Sequence, residues 1–483
     1  MTTQLRNLIN GEWVEATTEK FTPVINPGTQ EVLAECPDST PDDVKRAVNA
    51  ASTAYVEWRQ TPVLSRTRYL MTFKNLLEEH FEKISKLVVK EAGKTIDEAR
   101  GEVRRGIESV EFAFSVPSLM TGFKVEDISS GIDETAECQP LGVFAMLAPF
   151  NFPFLVPMWF LPVAIACGNT MVVKPSPTTP LTMDYVFKLW EEVELPEGVV
   201  NLVHGGVDAA NALMEHPDVK GVSFVGSSTV GKIIYEKSTK HGKRVQIQGG
   251  AKNYLAVMSD ANLATAVPNI MGSFYGCAGQ RCLAGSVVLA VGDIYESLKK
   301  ELLTAARKLK VGYGLDDASQ MGAIATQKSK ERILGMIKKG IDEGAELLLD
   351  GRNLVVDGYE TGNFIGPSIF DKVTPDMTLA QEEIFGPVMS IIHVPDFETA
   401  VTTINASNYG NAASIFTQKG GYAREFKYRV NAGNIGVNVG VAAATASFPF
   451  GGKNDSFFGD LHGQGPDSVR FYTDYKVVIE RWV

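Results

Sequence analysis

Residues 170–242 read TMVVKPSPTTPLTMDYVFKLWEEVELPEGVVNLVHGGVDAANALMEHPDVKGVSFVGSSTVGKIIYEKSTKHG, and this stretch decides the fold. Short β-branched runs (TMVVKP, VVNLVHGG, VKGVSFVG) alternate with segments of helical periodicity (LTMDYVFKLWEEV, NALMEHP, STVGKIIYEKSTKHG). That alternation is the pattern of βαβ units, whose parallel strands are covered on both faces by crossover helices. A second series follows. Helices near 293–309 and 325–343 alternate with SVVLAV, VMSIIHV, AASIFT and GNIGVN, which implies a second α/β domain. The chain end, VRFYTDYKVVIERWV, reads as an extended apolar β segment. A lone strand there leaves an edge needing a partner and points to pairing with another subunit.

Upstream, Leu141 to Val173 is almost entirely apolar and long enough to imitate a membrane span. Pro149, Pro153, Pro157 and Pro162 punctuate it, and each proline removes a backbone donor and interrupts a helix. The segment is therefore expected to form a buried strand, turn, helix and strand.

Composition sets the outer limits. A chain of 483 residues exceeds one compact core and implies two or three domains. With 44% hydrophobic and 21% charged residues it has the composition of an ordinary globular protein. A formal net charge of −11, without a Lys/Arg run or basic stripe, argues against a nucleic-acid partner. Cys36, Cys138, Cys167, Cys277 and Cys282 form no CxxC pair, which fits reduced thiols better than a disulfide framework. The start, MTTQLRNLINGEWVEA, has neither an apolar core nor an Arg-rich amphipathic pattern, so the expected compartment is the cytoplasm. Histidines without HExxH and cysteines without metal spacing give no metal site to expect. GKT in EAGKTIDEA imitates the end of a phosphate-binding loop, but that motif needs glycine where Val88 stands.

The segment FYGCAGQRCLAG at 274–285 surrounds two cysteines with small residues just ahead of a buried strand. A nucleophilic thiol needs close backbone approach, donors for a developing oxyanion and a positive field that lowers its pKa. Gly279 and Gly285 offer the approach and Arg281 the charge. On these residues alone, Cys282 reads more readily as a buried structural thiol than as a nucleophile.

An ordered set of motifs removes that ambiguity. EAGKTIDEA (91–99), APFNFP (148–153), VVKPSPTTP (172–180), SFVGSSTVG (223–231), AGQRC (278–282), EEIFGP (382–387) and PFGG (449–452) resemble the aldehyde dehydrogenase superfamily, in order and spacing, over essentially the whole chain. The resemblance implies an α/β fold. Residues 1–121 and 141–249 would form a Rossmann-type NAD(P)-binding domain, 250–450 a catalytic domain, and 122–140 with 468–483 a β oligomerisation arm. It implies Cys282 as the nucleophile, with Asn151 and the Cys282 N–H as the oxyanion hole. An amide suits that task because it donates without titrating. Phe150, Lys174, Ser176, Gly226, Ser227, Glu383 and Phe385 are implied at the cofactor. There is no GxGxxG. The family's Gly226–Gly231 spacing takes its weight from lying between a strand and an amphipathic helix. Cys277 has no matching role and reads as a packing residue. The implied assembly is a homodimer or homotetramer.

Two positions depart from the common pattern. Hydrolytic relatives carry a Glu–Leu–Gly–Gly–Lys segment whose Glu activates water; here the run is QGGAK, and aligned on Lys252 the base position is Gln248, which has no lone pair titrating near neutrality. Coenzyme A is then the expected acceptor, since a thiol brings its own nucleophile. The second is Pro177, three residues after Lys174, where NAD-preferring relatives place an acid; NAD is expected, with room for NADP. Phe150, PFLVPMWFLPVAIACGNT, GAKN, Arg281 and FPFGGKNDSFFGDLHGQG resemble the CoA-acylating methylmalonate-semialdehyde dehydrogenase branch. That likeness implies a short carboxylated aldehyde gripped by Arg105 and Arg281, guanidinium being the better fit for a carboxylate. A solvated helix face remains the competing reading of Arg105. A hydrolytic semialdehyde dehydrogenase is the alternative reading of the whole.

Overall fold

The computed structural model describes residues 3–482. Met1, Thr2 and Val483, which terminate the expected cofactor domain and arm, lie outside it. The alternation read between 170 and 242 folds as expected. Strands Val143–Leu147, Thr170–Lys174, Val200–Leu202, Val219–Val225 and Arg244–Gln248 are parallel neighbours, with helices Leu181–Val193, Val207–Glu215 and Ser228–Lys240 in the connections. Across the sheet they stand 244–248, 219–225, 143–147, 170–174, 200–202. The order therefore reverses between Val143–Leu147 and Val219–Val225, and in open α/β sheets the crevice beyond the carboxyl ends at such a reversal is where ligands bind. Antiparallel strands Asn7–Ile9 and Glu12–Val14 extend one side and Phe457–Gly459 the other.

The apolar segment that imitated a membrane span is interior. All residues of helix Leu155–Ala166 are buried, including Pro162 within it. No helix among the described residues is long and apolar enough to cross a membrane.

A second sheet sets Glu346–Leu349, Ser368–Asp371, Val388–Val394, Gly285–Val291, Asn253–Val257, Ala412–Phe416 and Asn434–Val437 side by side, parallel except for the first. The expected helices appear at Tyr295–Ala306 and Gln327–Asp342. Both sheets are sealed by large apolar clusters, so the mixed α/β class is as expected.

The C-terminal expectation needs correction. Val469 to Phe471 lie in helix Gly465–Phe471, not in a strand, because Phe471 and Tyr472 pack against Phe144 beneath the first sheet. Strand Thr473–Arg481 follows, and its partner is in the same chain. It pairs antiparallel with Ile132–Pro140, which in turn pairs with Phe123–Ser129. Its outer edge remains open in this three-stranded sheet.

Candidate active site

The carboxyl ends of the first sheet face the amino ends of the second. Asn151 follows Val143–Leu147, Gly226 and Ser227 follow Val219–Val225, and Gln248 ends its own strand. Cys282 instead precedes Gly285–Val291 and Glu383 precedes Val388–Val394.

The nucleophile segment is shaped by a sharp reversal. Cys277, Ala278 and Gly279 are left-handed in succession, with φ of 52°, 51° and 72°. A Cβ on Gly279 would lie 2.2 Å from the Gly386 carbonyl oxygen, so this position admits only glycine. Beyond the turn, the Cys282 carbonyl accepts from Asn253 at 2.9 Å and Asn411 at 2.8 Å, which pins the cysteine to the second sheet. Burial pushes the Cys282 thiol up to about 12, and the nearby Glu383 carboxylate adds to the rise. Arg281 and the N–H groups of Cys282 and Leu283 pull the other way and do not win. The expected positive field that lowers the thiol is thus overridden by desolvation.

Cys282 opens on a cavity of about 250 Å³ whose wall also includes Asn151, Arg105 and Arg281. The structure therefore brings these four expected residues together. Asn151 Nδ2 donates to the Gln280 carbonyl at 3.0 Å, leaving a second amide hydrogen uncommitted. Arg105 donates to the Ala444 carbonyl at 2.5 Å, so the solvated-face reading fails at this position. Arg281 donates to the carbonyls of Gly272 and Ser273, while its buried Nε has no partner among the described residues. Trp159 and Phe450, with ring centroids 4.8 Å apart, supply part of the apolar wall.

The remaining expected residues lie outside that cavity wall. Lys174 is buried and donates to the carbonyls of Pro175 (3.0 Å) and Gly205 (2.9 Å), and burial lowers its pKa to about 8. The Ser176 hydroxyl accepts from Thr178 N–H at 3.3 Å in the following turn. Ser227 caps helix Ser228–Lys240, accepting the Val230 N–H, and is exposed. A Cβ on Gly226 would strike the Phe224 ring at 2.3 Å. Glu383 accepts the Ala251 N–H at 2.9 Å, and burial raises its carboxyl to about 7. Phe385 is left-handed (φ 54°) and meets Phe150 edge to face at 5.9 Å. The carboxamide of Gln248 is buried, with neither polar atom partnered among the described residues.

Sequence reading missed three residues here. Glu98 and Glu102 line the same cavity from helix Ile96–Phe112, and Lys94 pairs with Glu102 at 2.5 Å while resting 3.5 Å from the Phe152 ring centroid. The signal was present: Glu98, Glu102 and Arg105 recur at i, i+4 and i+7, the spacing of one helix face.

Residues 13–478 match the model of the aldehyde dehydrogenase family. Malonate-semialdehyde dehydrogenase 1 of Geobacillus thermodenitrificans is 48% identical over 479 residues, covering 99% of each chain. The solved methylmalonate-semialdehyde dehydrogenase of Oceanimonas doudoroffii is 42% identical with a TM-score of 0.98, covering 100% of this chain and 99% of its own. A Sinorhizobium meliloti protein assigned as a methylmalonate-semialdehyde dehydrogenase and solved with NAD is 38% identical with a TM-score of 0.99, at 100% and 99% coverage. Fold, ordered motifs and these likenesses agree, and the chain belongs to the aldehyde dehydrogenase family and is an aldehyde dehydrogenase.

Proposed function

We propose that this enzyme oxidises malonate or methylmalonate semialdehyde with NAD, NADP being tolerated, and passes the acyl group from Cys282 to coenzyme A. One observation carries the reading: a single cavity holds a cysteine, an oxyanion donor and two guanidinium groups. A short aldehyde ending in a carboxylate matches that set, with Arg105 and Arg281 on the acid and the carbonyl at Cys282. The names of the malonate- and methylmalonate-semialdehyde relatives support the same substrate class.

The residues also fit a nicotinamide dinucleotide. The first turn of Ser228–Lys240 offers N–H groups for phosphate charge behind Gly226 and Ser227. Lys174 ends strand Thr170–Lys174, two positions from Val219–Val225 in the sheet, and Ser176 follows it, for the adenosine ribose. Glu383 lies across Gly250, where a Cβ would fall 2.6 Å from its carboxylate oxygen, and with Phe150 and Phe385 makes a cradle for the nicotinamide end. When bound, the group accepts the hydride. Pro177 offers no carboxylate to exclude a 2′-phosphate.

The Cys282 sulfur attacks the aldehyde carbon and the carbonyl π bond opens to an oxyanion, received by the free Asn151 N–H and the Cys282 N–H. Among charged groups, Glu383 acts most strongly on the thiol, and with a pKa of about 7 it is suited to take the thiol proton. Loss of hydride leaves a thioester. The β-carboxylate of this thioester leaves as CO2, the C–C bonding pair forms the thioester enolate, and its carbon takes a proton from water; coenzyme A, its thiol proton given up to solvent, then attacks the thioester, the new C–S bond forms, and Cys282 leaves as thiolate. Gln248 supports this branch because an amide does not remove a proton from water. The hydrolytic alternative keeps one observation in its favour, namely that Glu383 is itself a carboxylate able to act as a base near neutrality. The sheet memberships support the proposed division into residues 1–121 with 141–249, residues 250–450, and the arm at 122–140 with 468–483, except that 468–472 pack beneath the first sheet and the arm strand begins at Thr473. The arm is proposed to mediate a homodimer or homotetramer.

The test follows NADH absorbance with malonate semialdehyde, with and without coenzyme A, and identifies the product by mass spectrometry. Acyl-CoA and coenzyme A-dependent turnover are expected; free acid at an unchanged rate would overturn the acylating reading. In Gln248→Glu, turnover without coenzyme A should rise at least tenfold.

A further inference from the structure

Helix Ile96–Phe112 begins with a capping box: Glu98 N–H donates to Thr95 Oγ1 at 3.4 Å, and Glu98 Oε2 accepts the Thr95 N–H at 3.0 Å. That motif needs one carboxylate oxygen. The other, Oε1, accepts the N–H of Cys277 at 2.5 Å, from a residue 179 positions further along the chain. One carboxylate thus ties the start of a helix to the turn that carries the nucleophile.

That turn is the strained part of the site. Non-glycine residues are disfavoured in the left-handed region and persist there when neighbours hold them. Cys277 and Ala278 both sit in it, five and four residues ahead of Cys282. Gly279 is wedged against Gly386. Gln280 is held through its side-chain oxygen by Ala325 N–H at 3.1 Å and through its carbonyl by Asn151. At the entry to the turn, the Glu98 carboxylate receives the Cys277 N–H, and the Cys277 carbonyl accepts from Gln280 N–H at 2.9 Å. Loosening this end lets the turn relax towards ordinary backbone angles, and the change is passed directly to Arg281 and Cys282.

We propose that Glu98 is a positioning residue that sets the approach of Cys282 through the backbone of Cys277. The proposal rests on the reading of Cys282 as the nucleophile and adds the device that holds it in place. A helix cap alone would not need the second hydrogen bond, and this chain shows a shorter acid filling the same box elsewhere: Asp43 caps with Thr40.

The experiment exploits that difference. Glu98→Asp keeps a residue able to form the box but falls one methylene short of Cys277. Glu98→Gln retains a carboxamide oxygen for the Cys277 N–H. Thr95→Ala weakens the cap and leaves the carboxylate in place. Each full-length variant is assayed for the rate of Cys282 alkylation by iodoacetamide, read on the Cys282 peptide by mass spectrometry. The single-turnover rate of NADH formation and the KM for malonate semialdehyde are measured alongside, with thermal melting. Glu98→Asp is expected to slow both rates tenfold or more with KM within about threefold, Glu98→Gln to recover most of the loss, and Thr95→Ala to melt earlier with both rates kept. Unchanged rates in Glu98→Asp, or an equal loss in Thr95→Ala, would overturn the proposal. Cys282→Ser separates the two readings: NADH formation surviving in that variant overturns both, whereas its abolition alongside normal Glu98 variants overturns only this one.

Discussion

Cys282 shows how far the setting of a residue departs from its local sequence. Arg281 beside it suggests a lowered thiol, yet burial and Glu383 push it up to about 12. A group raised that far is protonated at neutral pH, and its thiolate fraction climbs with pH throughout the accessible range. Alkylation of Cys282 by iodoacetamide in the cofactor-free enzyme should therefore rise about tenfold per unit between pH 7 and 10. A plateau near pH 8 would contradict this. Gln248 is the converse case. Its identity already excludes base catalysis, and the structure adds that its carboxamide is buried without a partner among the described residues.

Among the elements, helix Ile96–Phe112 is the one whose importance grew most. Glu98 reaches the nucleophile turn, Arg105 reaches the loop at Ala444, and Glu102 accepts the N–H groups of Phe154 (2.9 Å) and Leu155 (3.1 Å) at the start of Leu155–Ala166. Glu102 also pairs with Lys94, both side chains being at most 3% exposed. Removing one member of such a pair leaves an unpaired buried charge. Glu102→Ala should cost about 3–5 kcal/mol, read as a lower calorimetric melting temperature. Adding Lys94→Met should restore part of it, though the two N–H groups stay unsatisfied. The alternation of strands and helices was legible throughout, because burial on both faces writes continuous apolar runs. The C-terminal helix was not, since Val469 and Phe471 alternate with Arg470 as they would in a strand, and only the packing of Phe471 and Tyr472 against Phe144 selects a helical turn.

For the whole molecule, the arm is the feature left unfinished. Tyr475, Val477 and Ile479 alternate along Thr473–Arg481 and are 55%, 62% and 66% exposed, and Phe123 meets Tyr475 edge to face at 5.8 Å. An apolar sheet face with an open edge is the mark of an association surface. Val477→Lys with Ile479→Lys should shift the enzyme to smaller species in analytical ultracentrifugation while leaving the cavity residues in place; an unchanged sedimentation coefficient would show that assembly does not use this face.

The amino-acid sequence by itself determined the α/β class, the ordered motifs and the chemical kinds present: a cysteine, amides, guanidiniums, and Gln where a base would stand. Those are properties of local pattern and side-chain chemistry, and they survive without coordinates. Tertiary structure alone decided that Cys282, Asn151, Arg105 and Arg281 share one cavity, that Thr473–Arg481 finds its partner at home, and that Glu98 reaches Cys277. It also decided the state of the thiol, because desolvation depends on what chain-distant segments place around a group, and no run of neighbours along the backbone encodes that.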